Sequence, residues 1–93
     1  MTKFTTSTIV CQSDDQVSTE IDNEVVLMSI EKGAYFGLNR VMSRIWKIIE
    51  TPVTVSHLCA MLQSEYDVTE ETCIRDVMEA LGKMAEKKLI TLS

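Results

Sequence analysis

The chain has 93 residues, 45% of them hydrophobic and 25% charged, with 9 basic and 14 acidic side chains and a net charge of -5. That is the composition and size of one small globular domain, with no room for a dinucleotide domain, a barrel or separate substrate and cofactor lobes. The acidic balance argues against a broad basic footprint for nucleic acid and favours a protein or peptide partner.

Residues 1–7 read as a mobile tail without the apolar core of a signal peptide, and residues 8–93 as a single domain. Ile9-Val10-Cys11 is a short apolar run, and Gln16 to Ile21 alternates weakly. Asp22-Asn23 is a turn pair before Glu24 to Ile30, the strongest strand pattern in the chain. Glu31-Lys32-Gly33 reads as a hairpin loop, with Gly33 able to take a positive φ, and Ala34 to Leu38 as the return strand. From Asn39 the period becomes helical. Asn39 caps a first helix over Arg40 to Glu50, with Val41, Met42, Ile45, Trp46, Ile48 and Ile49 apolar, and Pro52 ends it. Thr54 caps a second, striped by Val55, Leu58, Cys59, Leu62 and Tyr66. Thr69 caps a third, with Glu70 and Glu71 suited to its positive end and Lys83, Lys87 and Lys88 to its negative end. Its apolar stripe is Ile74, Val77, Met78, Leu81, Met84 and Ala85, and Leu89 to Leu92 is a final short strand. The fold predicted is α+β: a winged helix-turn-helix with an N-terminal three-stranded antiparallel sheet followed by three helices. A three-helix bundle with a loose hairpin is the alternative, disfavoured by the apolar surface of the hairpin.

Few residues point to catalysis. His57 is the only histidine and reads as a surface residue, because on a helix it points away from Cys59, two residues on. Cys11, Cys59 and Cys73 are odd in number and lack a CxxC spacing, which fits reduced thiols in a cytoplasmic protein. No phosphate loop, triad or metal spacing is present, so neither enzyme activity nor a metal or cofactor is expected. A small enzyme using Cys73 or His57 remains a distant alternative. No apolar run approaches the ~18 residues that span a membrane.

Two surface features favour binding. The strand Ala34-Tyr35-Phe36-Gly37-Leu38 contains no lysine, proline or charge to blunt an edge, which suits pairing with an extended peptide. Arg40, Arg44 and Lys47 share one face of the first helix as a solvated face or a docking patch for an acidic partner. The charge is uneven: residues 1–38 and 51–76 each carry net -4, while 39–50 carry +2 and 77–93 carry +1. A winged-helix DNA-binding transcriptional regulator is the main alternative function, but its reading helix would begin Glu70-Glu71 and carry Asp76, which phosphates would repel.

The runs Val25 to Ile30, Gly33 to Asn39, Ile45-Trp46, Arg75-Asp76-Val77 with Leu81, and Leu89-Ile90 occur in an order and spacing that resembles the PqqD-like RiPP recognition elements. They look most like the stand-alone leader-binding proteins of split lasso-peptide biosynthesis systems. Ser43 stands where the family commonly has glycine, for which a small local packing change is expected. The resemblance implies a non-catalytic module that binds the leader region of a ribosomally made precursor as an added strand. It would then deliver the leader to a leader peptidase and a lasso cyclase, with no nucleic acid or membrane involved. It implies a site formed by Ala34, Tyr35, Phe36, Gly37 and Leu38 on the strand and by Cys73, Ile74, Asp76, Val77, Ala80 and Leu81 on the third helix. Lasso leaders are read through an aromatic residue and a proline, which would fill an apolar pocket in that groove. Arg40, Arg44 and Lys47 would lie elsewhere, free for the peptidase.

Overall fold

A computed structural model describes residues 5–14 and 16–93. The order is β1 (Ile9–Gln12), β2 (Gln16–Ile21), β3 (Glu24–Ser29), β4 (Ala34–Gly37), α1 (Arg40–Ile48), β5 (Val53–Thr54), α2 (Val55–Glu65), α3 (Glu70–Glu86) and β6 (Ile90–Leu92).

The strands form two three-stranded antiparallel sheets rather than one. In the meander β2-β3-β4, Ile21 pairs with Glu24 across Asp22 and Asn23, both at positive φ, the geometry a two-residue hairpin turn needs. The β3–β4 loop holds Gly33 at φ +63, and the Gly33 amide donates to the Ser29 carbonyl at 2.8 Å. It begins at Ile30, which leaves the strand and is exposed. The second sheet, β5-β1-β6, corrects the expected single sheet. It gathers strands of two, four and three residues from distant parts of the chain. Segments this short have too few residues to show a period, so their pairing is a tertiary event. The segment before β1 is tied to the same region: the Thr8 carbonyl accepts from Val55 N–H at 3.0 Å and the Thr6 carbonyl from Ser56 N–H at 2.9 Å. Residues 1–4 of the expected tail lie outside the described residues.

All three expected caps form. Asn39, Thr54 and Thr69 each accept a backbone N–H three residues on, from Met42, His57 and Thr72. α3 ends with Lys88 at φ 61. There the Leu89 amide bonds Met84 O and the Lys88 amide bonds Ala85 O, both at 3.0 Å, the two bonds of a Schellman motif.

The core joins Val25 and Leu27 of β3, Ile45, Trp46 and Ile49 around α1, Leu58 and Leu62 of α2, and the inner face of α3. That inner face is Cys73, Val77, Ala80, Leu81 and Met84, rotated from the expected stripe, so that Ile74, Met78 and Ala85 are only half-buried. Val41 and Tyr66 are exposed, at the start of α1 and just past the end of α2. Ser43, buried in α1, accepts Val25 N–H at 2.8 Å and donates to Leu38 O at 3.1 Å, which locks the helix to the ends of β3 and β4. No helix among the described residues is long and apolar enough to cross a membrane.

Candidate functional site

β4 lies at one edge of the meander. Leu27 pairs with Phe36 and Ser29 with Ala34, and the Leu38 amide bonds Val25 O at 2.8 Å. Backbone groups alternate in direction along an antiparallel pair. Ala34 and Phe36 therefore direct their amide and carbonyl at β3, and Tyr35 and Gly37 direct theirs outward. The side chains alternate as well: Phe36 is half-buried and Leu38 buried, while Tyr35 and Gly37 are exposed. Apart from Gly37 and its two chain neighbours, no atom of the described residues lies within 4 Å of where a Gly37 Cβ would stand, so packing there does not require glycine.

The edge faces α3 across a groove. A cavity of about 640 Å³ lies between β4 and the C-terminal half of α3, floored by Phe36, Leu38, Met42, Met84 and Leu89. A second, of about 250 Å³, continues it along α3 past Asp76, Glu79 and Ala80, and Met42 and Lys83 line both. Lys87 reaches across, its ammonium 5.5 Å from the centre of the Phe36 ring, a cation–π approach. The floor is thus apolar, with the half-buried Met42 thioether able to re-pack around a ligand side chain and Met84 fully buried beneath it. The rim supplies hydrogen-bonding backbone on one side and charge on the other.

The expected site residues divide. Tyr35, Phe36, Gly37 and Leu38 line the groove on the strand side, with Ala34 half-buried at the start of β4, and Asp76 and Ala80 line it on the helix side. Cys73, Val77 and Leu81 are at most 5% exposed and face the core, and Ile74 packs half-buried against it. The α3 residues along the groove are Asp76, Ala80, Lys83 and Lys87, spaced i, i+4, i+7 and i+11, the first two opposite the start of α1 and the last two opposite β4, a stripe legible in the sequence once its apolar neighbours are assigned to the core. Met42 and Met84 are the floor residues that the sequence reading leaves out. Met78 packs on the core instead.

The basic face of α1 is largely paired. Arg44 makes a bidentate contact with Glu65, Nε to Oε1 at 2.7 Å and Nη2 to Oε2 at 2.6 Å, which holds the Glu65 carboxyl below its usual range. Lys47 pairs with Glu20. Arg40 is exposed and forms no ion pair among the described residues. With Asn23, Arg44, Lys47 and Tyr66 it borders a shallow concavity.

The two buried thiols adjoin, with Cys73 Sγ donating to Cys59 O at 3.6 Å. Burial pushes the Cys59 thiol up to about 11, and burial also raises Cys73, so the nucleophilic thiolate is disfavoured at both. His57 is exposed, and the described residues contain no cluster of three metal-ligating side chains.

Residues 24–90 match the family described as coenzyme PQQ synthesis protein D, PqqD, and the chain belongs to that family. No curated protein matches it. Two solved structures are similar. One, described as TbiB1 in complex with the TbiA(beta) leader peptide, is 39% identical, with a TM-score of 0.80 over 86% of this chain and 93% of that one. The other, lasso peptide synthetase B1 complexed with the leader peptide, is 20% identical, with a TM-score of 0.77 over 88% and 96%, a likeness of fold.

Proposed function

We propose that this chain is a recognition module for the leader region of a ribosomally synthesised lasso precursor peptide. The leader adds as a strand to β4, and the module hands it to a leader peptidase and a cyclase without chemistry of its own. The observation that carries this reading is the outward backbone of Tyr35 and Gly37, unblunted by any charge or proline and facing an apolar groove. Main-chain bonds along such an edge supply affinity for many sequences, and a few pockets supply selection. The 39% identical relative, whose structure holds a leader peptide, supports it. In this reading Asp76 bonds a leader amide or cation at the far end of the groove, and α2, the turn at 66–69 and α3 form the helix-turn-helix of a winged fold.

The exposed acids Glu70, Glu71 and Asp76 on α3 give the DNA-binding alternative no support. The test is a calorimetric titration with the leader of a precursor encoded beside this chain and with the TbiA(beta) leader. Saturable one-to-one binding is expected. Absence of binding to both, with the protein folded by circular dichroism, overturns the reading.

A further inference from the structure

The groove has a charge gradient along its length. Asp76 and Glu79 border the end next to Asn39, Val41 and Met42 at the start of α1. Lys32 and Lys87 border the other end, with Glu86 the acid among them, and Lys83 lies between the two. Lys83 lies 3.4 Å from Glu79, and Asp76 3.7 Å from Arg75, in exposed pairs that solvent weakens. Lys32 and Lys87 form no ion pair among the described residues.

Lysines late in α3 satisfy the helix dipole, and that alone accounts for Lys83 and Lys87. It does not account for Lys32, which comes from the β3–β4 loop and converges on the same end. Nor does it account for Lys87 leaning over the Phe36 ring, which puts its charge above the apolar floor. In a chain of net charge -5, this is a local excess of cations beside a free strand edge.

We propose that the groove selects an extended peptide carrying one or more carboxylates over Lys32 and Lys87, beside an apolar side chain seated on Phe36 and Met42. The inference rests on the strand-addition reading and adds the charge pattern of the ligand and the end of β4 at which its acids lie. A strand advances about 3.3 Å per residue, so the acid stands within a few residues of the apolar anchor. At the Asp76 and Glu79 end the preference reverses, and a neutral or basic residue is favoured.

The experiment is a charge scan on the TbiA(beta) leader, each position changed in turn to Glu and to Lys, with binding read by fluorescence anisotropy. The expected result is a cluster of positions where Glu binds about three- to tenfold tighter than Lys, the size of one or two exposed ion pairs. The preference should vanish in the double variant Lys32→Gln/Lys87→Gln and shrink in 0.5 M salt. Tight binding with a flat scan, or a preference that survives in the double variant, overturns this inference and leaves strand addition standing. No binding by any peptide of the scan overturns both.

Discussion

At Ser43, where the resemblance leads one to expect glycine, the hydroxyl does what a glycine cannot. It satisfies Val25 N–H and Leu38 O inside the core. The sequence leads one to expect only a small packing change at this position; the structure gives it two buried hydrogen bonds, one to Val25 eighteen residues away and one to Leu38 five residues away. Removing one partner from a buried bond costs more than the bond contributes net, because the other partner is left unsatisfied. Ser43→Ala should therefore destabilise the protein by about 1–3 kcal/mol, read as a lower urea midpoint at unchanged slope. An unshifted midpoint would mean that water reaches both groups. Lys88 offers the opposite change. It sits at φ 61, where an L-residue is strained, in a Schellman position usually held by glycine. Lys88→Gly should raise stability by about 0.5–1 kcal/mol, the relieved strain less the added freedom of the unfolded chain. A lower melting temperature would contradict that.

β4 is where the sequence and the structure together say most. Its lack of blunting residues can be read directly, and so can the three helix caps, because these signals lie within a few neighbouring positions. Which of its amides face outward cannot be read that way, because that depends on the register with β3. The register makes the two proline substitutions unequal. Gly37→Pro removes an outward amide, where an edge strand tolerates proline, and should weaken leader binding about tenfold or more while the fold persists. Phe36→Pro removes a bond to β3 and should lower stability instead. Calorimetry and thermal unfolding on both variants distinguish these effects; equal leader affinity in folded Gly37→Pro would count against strand addition. The helix side is less legible. Cys73, Val77 and Leu81 belong to the core because α2 packs on that face of α3. The second sheet is hidden in the sequence for a related reason, since β1 finds its partners some forty and eighty residues away.

Across the whole molecule, the net charge of -5 conceals two basic surfaces, one beside the groove and one on α1. On α1, Arg44 and Lys47 are engaged with Glu65 and Glu20, which leaves Arg40 as the cation without an ion pair among the described residues. The proposed docking of a leader peptidase on that face therefore centres on Arg40. Charge at the rim of an interface acts mainly on the rate of encounter. Arg40→Glu should slow leader removal, with leader affinity unchanged; an unchanged cleavage rate would reject the docking. The central claim is that a leader peptide pairs with the outer edge of β4. The most direct test is amide hydrogen exchange by NMR, with and without saturating leader. The account predicts that the Tyr35 and Gly37 amides, open in the free protein, become strongly protected, while Phe36, already bonded to β3, changes little. Protection that appears elsewhere, with Tyr35 and Gly37 still exchanging freely in the saturated complex, would contradict it.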